Sequence, residues 1–330
     1  MTPWLQFGLS ALAITLAAIK LAQYGDAVAY RTGLGRLFIG SLLVAGATSL
    51  PELLTMLSSI RQGHLNITAG DLFGSSMLNM MLLGVLDMLF YRQRVLRRIA
   101  LKHALTASLG TLLTGMAVFF LLAKVDVRLA WIGIDSVLMI GVYVVGVWLL
   151  RANPALGHEE GPAEDVGNMP SLHRALVGFG ITGAVLVVAA PWMVRGASGI
   201  ALRTGVGDSF VGIVLVALVT SLPELVAMVA AARVGAYDMA AGNLFGSNVF
   251  NMAALALADF VYLGGSFWTQ VDPLFALVGL TAMLLTTLGL IGNLAQVKRR
   301  VWLVELDAII LIVAYLAGLY LLYTRGAAAG

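Results

Sequence analysis

Thr48-Ser49-Leu50-Pro51-Glu52-Leu53 and Thr220-Ser221-Leu222-Pro223-Glu224-Leu225 are the same six residues written twice, 172 positions apart. The offset extends well beyond them. Arg31-Thr32-Gly33 returns as Arg203-Thr204-Gly205, and Leu72-Phe73-Gly74-Ser75 returns as Leu244-Phe245-Gly246-Ser247. Asn79, Asp87 and Asp135 return as Asn251, Asp259 and Asp307, each at the same separation. One spacing held over so long a stretch means a duplication without net insertion, and the chain reads as two copies of one unit.

The residues around these repeats are overwhelmingly apolar. Hydrophobic residues make up 60% of the chain and charged residues 11%, with a mean hydropathy of +0.94. Soluble domains run near 45–50% apolar and about 25% charged. The apolar runs each approach the roughly 20 residues needed for a helix to cross a bilayer, and the short alternating strands of a membrane barrel are absent. The reading is an all-α integral membrane protein with ten spans, at about 4–23, 34–60, 67–90, 101–122, 129–150, 173–194, 206–232, 238–263, 271–292 and 302–323. The first run has no basic residue before it and no small-residue cleavage site after it, so it is expected to remain as a helix and not to be removed as a signal peptide. With no cysteine in the chain, disulfides, thiolate catalysis and cysteine metal sites are excluded together.

Ten spans in two copies give five each. After an odd number of crossings the second copy starts from the opposite side, so the repeats are expected to be inverted, an arrangement common among secondary transporters. The organisation is read as a first repeat over 1–151, a cytoplasmic linker over 152–172 and a second, inverted repeat over 173–330. The linker carries Glu159, Glu160, Glu164 and Asp165 among glycines and prolines, a composition expected of a solvated connector. Basic residues mark the cytoplasmic side. One side of the expected spans holds thirteen of them: Arg31, Arg36, Arg92, Arg94, Arg97, Arg98, Lys102, Arg151, Arg174, Arg233, Lys298, Arg299 and Arg300. The other holds six: Arg61, Lys124, Arg128, Arg195, Arg203 and Arg325. This asymmetry puts both termini outside, with the bilayer as the partner and no nucleic acid or protein partner implied.

Glu52 and Glu224 stand deep inside apolar spans, where an ionised carboxylate costs several kcal/mol unless something compensates it. Each follows a proline, and a proline has no N–H for the carbonyl four residues earlier, here Ala47 or Val219. Backbone oxygens are thus freed beside the carboxylates. Thr48 and Thr220 sit four residues before the glutamates, on the same helical face. In the following spans Ser75 with Asn79, and Ser247 with Asn251, are again four apart. No histidine or cysteine accompanies this set. Carboxylate, hydroxyl, amide and carbonyl oxygens suit hard cations such as Ca²⁺, and the same oxygens accept Na⁺ or protons, which is a physical basis for exchange. Asp87, Asp135, Asp259 and Asp307 fall at the ends of spans, where interfacial water is expected to solvate them.

At these residues the chain resembles the cation/calcium exchanger superfamily, in particular the short prokaryotic sodium/calcium exchangers. The resemblance is carried by Thr48–Leu53 with Gly70–Asn79, and by Thr220–Leu225 with Gly242–Asn251. It implies Ca²⁺ coordination by Glu52 and Glu224, shared with Na⁺ sites. It further implies oxygens from Thr48, Thr220, Ser49, Ser221, Ser75, Ser247, Asn79 and Asn251, and carbonyls from Ala45 and Ala217. Its first and sixth helices would slide against the other eight. Asp71 stands where the family usually has Asn, and Asn251 is neutral where potassium-dependent relatives carry an acid, so two clear carboxylates are expected and no requirement for K⁺.

The function expected is a secondary antiporter exchanging Ca²⁺ for Na⁺ at a midplane site, with ions as cargo and no cofactor. Proton-coupled exchange of Ca²⁺ or another divalent cation is the alternative. An intramembrane hydrolase is disfavoured because no His-Glu-x-x-His pattern exists and His64, His103, His158 and His173 fall in loops or at expected span ends. Cysteines introduced at Arg97 and Arg299 are expected to react with impermeant thiol reagents from the cytoplasmic side alone; labelling of both from outside reverses the orientation.

Overall fold

Two twelve-residue helices, Leu50–Arg61 and Leu222–Arg233, begin at the repeated Leu-Pro-Glu triplets. Proline in the first helical turn is pre-set for helix and loses no bond there. Each helix ends in a tight turn with a glycine in the left-handed region, Gly63 at φ 80° and Gly235 at φ 81°. Each turn leads into a 25-residue helix, Leu65–Leu89 or Tyr237–Val261. All these boundaries differ by the offset seen in the sequence.

The structure is a computed structural model that describes residues 1–32, 48–90, 95–125, 127–152, 170–295, 300–301 and 304–328. In chain order its helices are α1 (Pro3–Thr32), α2 (Leu50–Arg61), α3 (Leu65–Leu89), α4 (Val95–Ala123), α5 (Ile134–Ala152), α6 (Leu172–Thr204), α7 (Asp208–Val211), α8 (Ala217–Thr220), α9 (Leu222–Arg233), α10 (Tyr237–Val261), α11 (Phe267–Gln270), α12 (Leu274–Ala295) and α13 (Leu306–Ala328). A π-helical stretch, Gly212–Val216, joins α7 to α8. Two small antiparallel hairpins repeat the same register: Arg128 pairs with Gly133 and Leu129 with Ile132, while Arg300 pairs with Glu305 and Val301 with Val304.

Among the described residues seven helices are long and apolar enough to cross a membrane, and eight if the bent α7–α9 segment counts as one. Ile134–Leu150 adds a shorter apolar helix. Expected spans and observed helices differ in informative ways. The first and sixth run on to Thr32 and Thr204, because the less apolar stretch after Val194 stays helical against α1. The fifth begins at Ile134 after the hairpin. The seventh is bent by 41° at Ser221, where Pro223 cannot bond back. Residues 34–47 of the second expected span, and 153–169 of the linker, lie outside the described residues.

Helices α3 and α10 form the centre, and every residue from Ile67 to Met80 is buried. The main core gathers around them, including Phe73, Met77, Phe245, Met252, Trp268 and Phe275. A separate apolar cluster holds α1 against α6 through Ile14, Ala18, Leu21, Met193, Val194 and Ala197. Outward, α1 exposes Leu5, Leu9, Leu12 and Leu16, and α6 exposes Val185, Val187, Val188 and Trp192. A lipid phase covers such a surface without penalty.

The four terminal aspartates are not solvated as expected. Asp87, Asp135 and Asp259 are fully buried and Asp307 is 9% exposed. Asp259 accepts the N–H of Gly133 through Oδ2 and that of Phe267 through Oδ1, both at 2.7 Å, while Asp135 accepts the N–H of Ser136 at 2.7 Å. Backbone donors at hairpins and helix starts replace water, and such charge-assisted bonds are the strong ones. His103 also departs from expectation, since α4 begins eight residues earlier and places it within the helix, beside Phe245 with ring centres 6.2 Å apart.

Backbone meets backbone where α3 crosses the π-helical stretch. A Cβ on Gly74 would lie 2.6 Å from the carbonyl oxygen of Ile213, and one on Gly70 would lie 2.9 Å from the Cα of Gly212. Backbone cannot swing aside as a side chain does, and membrane helices rely on small residues for such contacts. Gly74→Ala is expected to destabilise the purified protein by about 1–3 kcal/mol, the range for overpacking, seen as a lowered thermal midpoint in detergent. Gly115→Ala, whose Cβ would meet only the Met283 sulfur at 3.5 Å, is expected to leave that midpoint nearly unchanged.

Candidate cation-binding site

The breaks before α2 and α9 place serine at the helix entry. Ser49 and Ser221 adopt φ/ψ near −90°/8° and −85°/1°, and neither hydroxyl caps its own helix. The hydroxyls are therefore available to other groups. Glu52 and Glu224 sit in the first turns that follow, at the positive end of the helix dipole, which favours a carboxylate there. Glu52 is 1% exposed and Glu224 is fully buried.

The central helices bring the second half of the set. Ser49 Oγ donates to Glu224 Oε1 at 3.1 Å and lies 2.7 Å from Ser247 Oγ, which itself donates to Glu224 Oε1 at 3.0 Å. Residues of both copies thus converge on one carboxylate oxygen. Thr220 Oγ1 donates to Asp71 Oδ1 at 2.7 Å and lies 3.3 Å from Ser75 Oγ. The duplicated counterpart of the first of these is Thr48 Oγ1 donating to Asn243 Oδ1 at 3.5 Å. Asn79 Nδ2 donates to Asn248 Oδ1 at 3.0 Å, and Asn248 Nδ2 donates to the carbonyl of Ser76 at 3.2 Å, tying α3 to α10 beside the cluster.

Several buried polar atoms of these residues have no hydrogen-bond partner: the oxygens Glu52 Oε2, Asp71 Oδ2, Asn79 Oδ1, Ser221 Oγ, Glu224 Oε2 and Asn251 Oδ1, and the amide nitrogens of Asn243 and Asn251. Buried polar groups are nearly always satisfied, so a concentration of bare acceptors calls for a positive ligand. Glu52, Glu224 and Asp71 are near enough to act on one another electrostatically. Among the described residues no three Asp, Glu or His side chains gather tightly enough to hold a metal ion alone. Neutral oxygens would have to complete any shell.

Of the residues expected from sequence, hydrogen bonds join Ser49, Ser247 and Glu224 on one side and link Thr220 with Ser75 on the other, with three qualifications to the expected set. Ala45 lies outside the described residues. The Ala217 carbonyl accepts the Ser221 N–H at 3.1 Å, so it is engaged within its own segment. The count of two carboxylates is corrected to three, because Asp71 is fully buried and bonded to Thr220. Asn243 and Asn248 were missed. Both were legible, position 243 as the partner of 71 in the repeat and Asn248, counterpart of Ser76, as a member of the Gly242–Asn251 motif.

The "Sodium/calcium exchanger protein" family profile matches residues 2–151 and 174–324, nearly the whole chain. The putative antiporter CaxA of Alkalimonas amylolytica is 27% identical over 328 residues, covering 96% of this chain and 98% of that protein. Among solved structures, an H⁺/Ca²⁺ exchanger, CAX, superposes with a TM-score of 0.69 at 14% identity, covering 99% of this chain and 89% of its own. The sodium-calcium exchanger NCX_Mj superposes with a TM-score of 0.56 at 22% identity, covering 97% and 99%. At these identities the likeness of the two structures is one of fold.

Proposed function

The chain belongs to the sodium/calcium exchanger protein family, and from that premise we propose that it is a secondary antiporter exchanging Ca²⁺ for Na⁺ by alternating access. The observation that carries this reading is the group of buried, unpartnered oxygens on Glu52, Glu224, Asn79, Asn251 and Ser221. They are hard donors of the kind that Ca²⁺ and Na⁺ take.

In this reading Glu52 and Glu224 hold the divalent cation. Thr48, Thr220, Ser49, Ser221, Ser75, Ser247, Asn79 and Asn251 supply neutral oxygens, with carbonyls at Ala45 and Ala217. Na⁺ competes for the same oxygens, so the site leaves one side with one cargo and returns with the other. The two copies lie inverted in a prokaryotic cell membrane, five spans each, both termini outside, with residues 152–172 linking them in the cytoplasm.

Proton coupling is the second reading. The specific observation in its favour is Asp71, a third carboxylate within the cluster and a group that protons as well as cations can neutralise.

In proteoliposomes, ⁴⁵Ca²⁺ uptake is expected to follow an outward Na⁺ gradient; uptake that follows only a proton gradient selects the second reading. Glu52→Gln and Glu224→Gln are each expected to lower uptake at least ~10-fold, the equivalent of about 1.4 kcal/mol, while still eluting as folded protein. Ca²⁺ added in detergent is expected to raise the thermal midpoint of the unaltered chain by mass action, and that rise is expected to shrink in both variants. Undiminished uptake by either folded variant removes the assignment.

A further inference from the structure

The turns that lead into α3 and α10 share one backbone and differ in their side chains. In the first, the N–H of Gly63 bonds the carbonyl of Ile60 at 3.1 Å and that of His64 bonds Ser59 at 2.9 Å. In the second, Gly235 bonds Ala232 at 3.1 Å and Ala236 bonds Ala231 at 2.9 Å. His64 also reaches across to α7, where its Nδ1 lies 2.7 Å from Asp208 Oδ2. The repeat counterparts of His64 and Asp208 are Ala236 and Arg36, which cannot form the same pair.

The pair stands at one end of a seam. A Cβ on Gly212 would lie 3.0 Å from the carbonyl oxygen of Ile67, one on Gly70 would lie 2.9 Å from the nitrogen of Ile213, and one on Gly74 would lie 3.0 Å from the Ala217 Cβ. Positions 64, 67, 70 and 74 thus follow helical spacing along one face of α3 and its entry, against 208, 212, 213 and 217. Farther along the same seam, Thr220 bonds Asp71 at 2.7 Å. The pair and the cation cluster hold opposite ends of one contact.

Protons reach the pair, since the side chains of His64 and Asp208 are 28% and 27% exposed on the wall of a polar pocket of about 280 Å³. Asn66 and Gln270 add neutral amides to that wall, and Tyr262, just after α10, adds a phenol. Asp272 is engaged elsewhere, its carboxylate accepting the Leu274 N–H at 2.8 Å. Helix α7 also packs against α6 and α13, whose last turns carry Arg203 and Arg325, and α2 ends in Arg61. None of these three arginines pairs with Asp208. The ion-pair partner of Asp208 is one imidazole, the side chain that changes charge near neutral pH. Neutral, it donates an ordinary hydrogen bond; protonated, it donates a stronger, charge-assisted one.

We propose that His64 and Asp208 form a clasp that protons tighten, fastening one end of the α3 seam so that residues 208–220 open less readily as the pH falls. Its effect on transport rests on the exchanger reading. The fastened segment carries Thr220 and leads to Glu224, so a tighter clasp slows ion access. His64 is a positioning residue and touches no ion.

Hydrogen exchange of the amides of 208–220, read by mass spectrometry on the purified chain, is compared at about pH 6 and pH 8 after scaling for the intrinsic rate at each. His64→Ala and Asp208→Asn are each expected to lower protection roughly 2–5-fold at the lower pH, the fold-change of a partly exposed ion pair, and by less at the higher. The double variant is expected to lose no more than either alone. His64→Lys, charged at both pH values, is expected to keep the protection and to abolish its change with pH, a rescue that a merely structural role would not give. In proteoliposomes, ⁴⁵Ca²⁺ exchange at the lower pH is expected to be faster in His64→Ala than in the unaltered chain by a similar factor, and nearly equal at the higher. Protection in folded His64→Ala and Asp208→Asn equal to that of the unaltered chain at the lower pH overturns the proposal. So do losses that are the same at both pH values or additive in the double variant, and so do equal exchange rates at the lower pH in chains that exchange. If protection changes as expected while the unaltered, folded chain exchanges no cation, the clasp stands and the exchanger reading fails.

Discussion

A carboxylate placed in the middle of an apolar helix has to be met by something other than water, and the Leu-Pro-Glu entry is how this fold meets it. Proline removes one backbone bond, the chain bends, and a new helix begins inside the protein with its positive end beside the acid. The bend is 41° at Ser221. The serine before each proline does not cap the helix it precedes, and that leaves its hydroxyl for a residue of the other copy, as with Ser49 and Glu224. Each later feature of the cluster depends on that break. Without it, Glu224 would lie along a continuous helix and its oxygens would face one helical surface instead of a junction.

The junction works only if the central helices come close enough to close it. Gly70 and Gly74 let α3 touch the π-helical stretch backbone to backbone, and that contact fixes Asp71, Ser75 and Ser76 against Thr220 and Asn248. The π-helical turn is also one of the few helical forms that widens the backbone at a functional position. Farther out, the bonds of Asp259 to Gly133 and Phe267 lock hairpin and helix ends to α10. The frame around the cluster is thus held by backbone-directed contacts, which leaves few of its side chains free to vary without consequence.

Much of this was legible in the sequence because duplication and hydropathy are both linear signals. The repeat offset foretold helix boundaries that recur at the same spacing in the structure, whereas the contacts that form run between the copies, as from Ser49 to Glu224 and from Thr220 to Asp71, and not along the helical spacing read from sequence. What failed was whatever depended on a partner remote in sequence. Hydropathy cannot separate an interfacial aspartate from one bonded to a backbone N–H 126 residues away, so Asp259 was misplaced. The bend in the seventh span was readable as a freed carbonyl at Pro223, but the π-helical turn before it was not, since it answers to the close approach of α3. Asp71 looked like a drift from a family pattern, and only its contact with Thr220 shows it as a member of the cluster.

Two copies of one unit, if identical and inverted, would present the same energy to either face of the membrane. Any departure from that symmetry comes from the positions where the copies disagree. Asp71 against Asn243 is one. Another lies at the turn between α2 and α3, where His64 Nδ1 is 2.7 Å from Asp208 Oδ2 at the start of α7. The counterpart of His64 is Ala236, which can form no such bond. Asp208 leads directly into the π-helical stretch and the break at Ser221, so this contact ties the turn entering α3 to the segment that carries Thr220 and Glu224. The two copies thus differ at corresponding turns by a single pair of side chains, while the helix boundaries around them repeat.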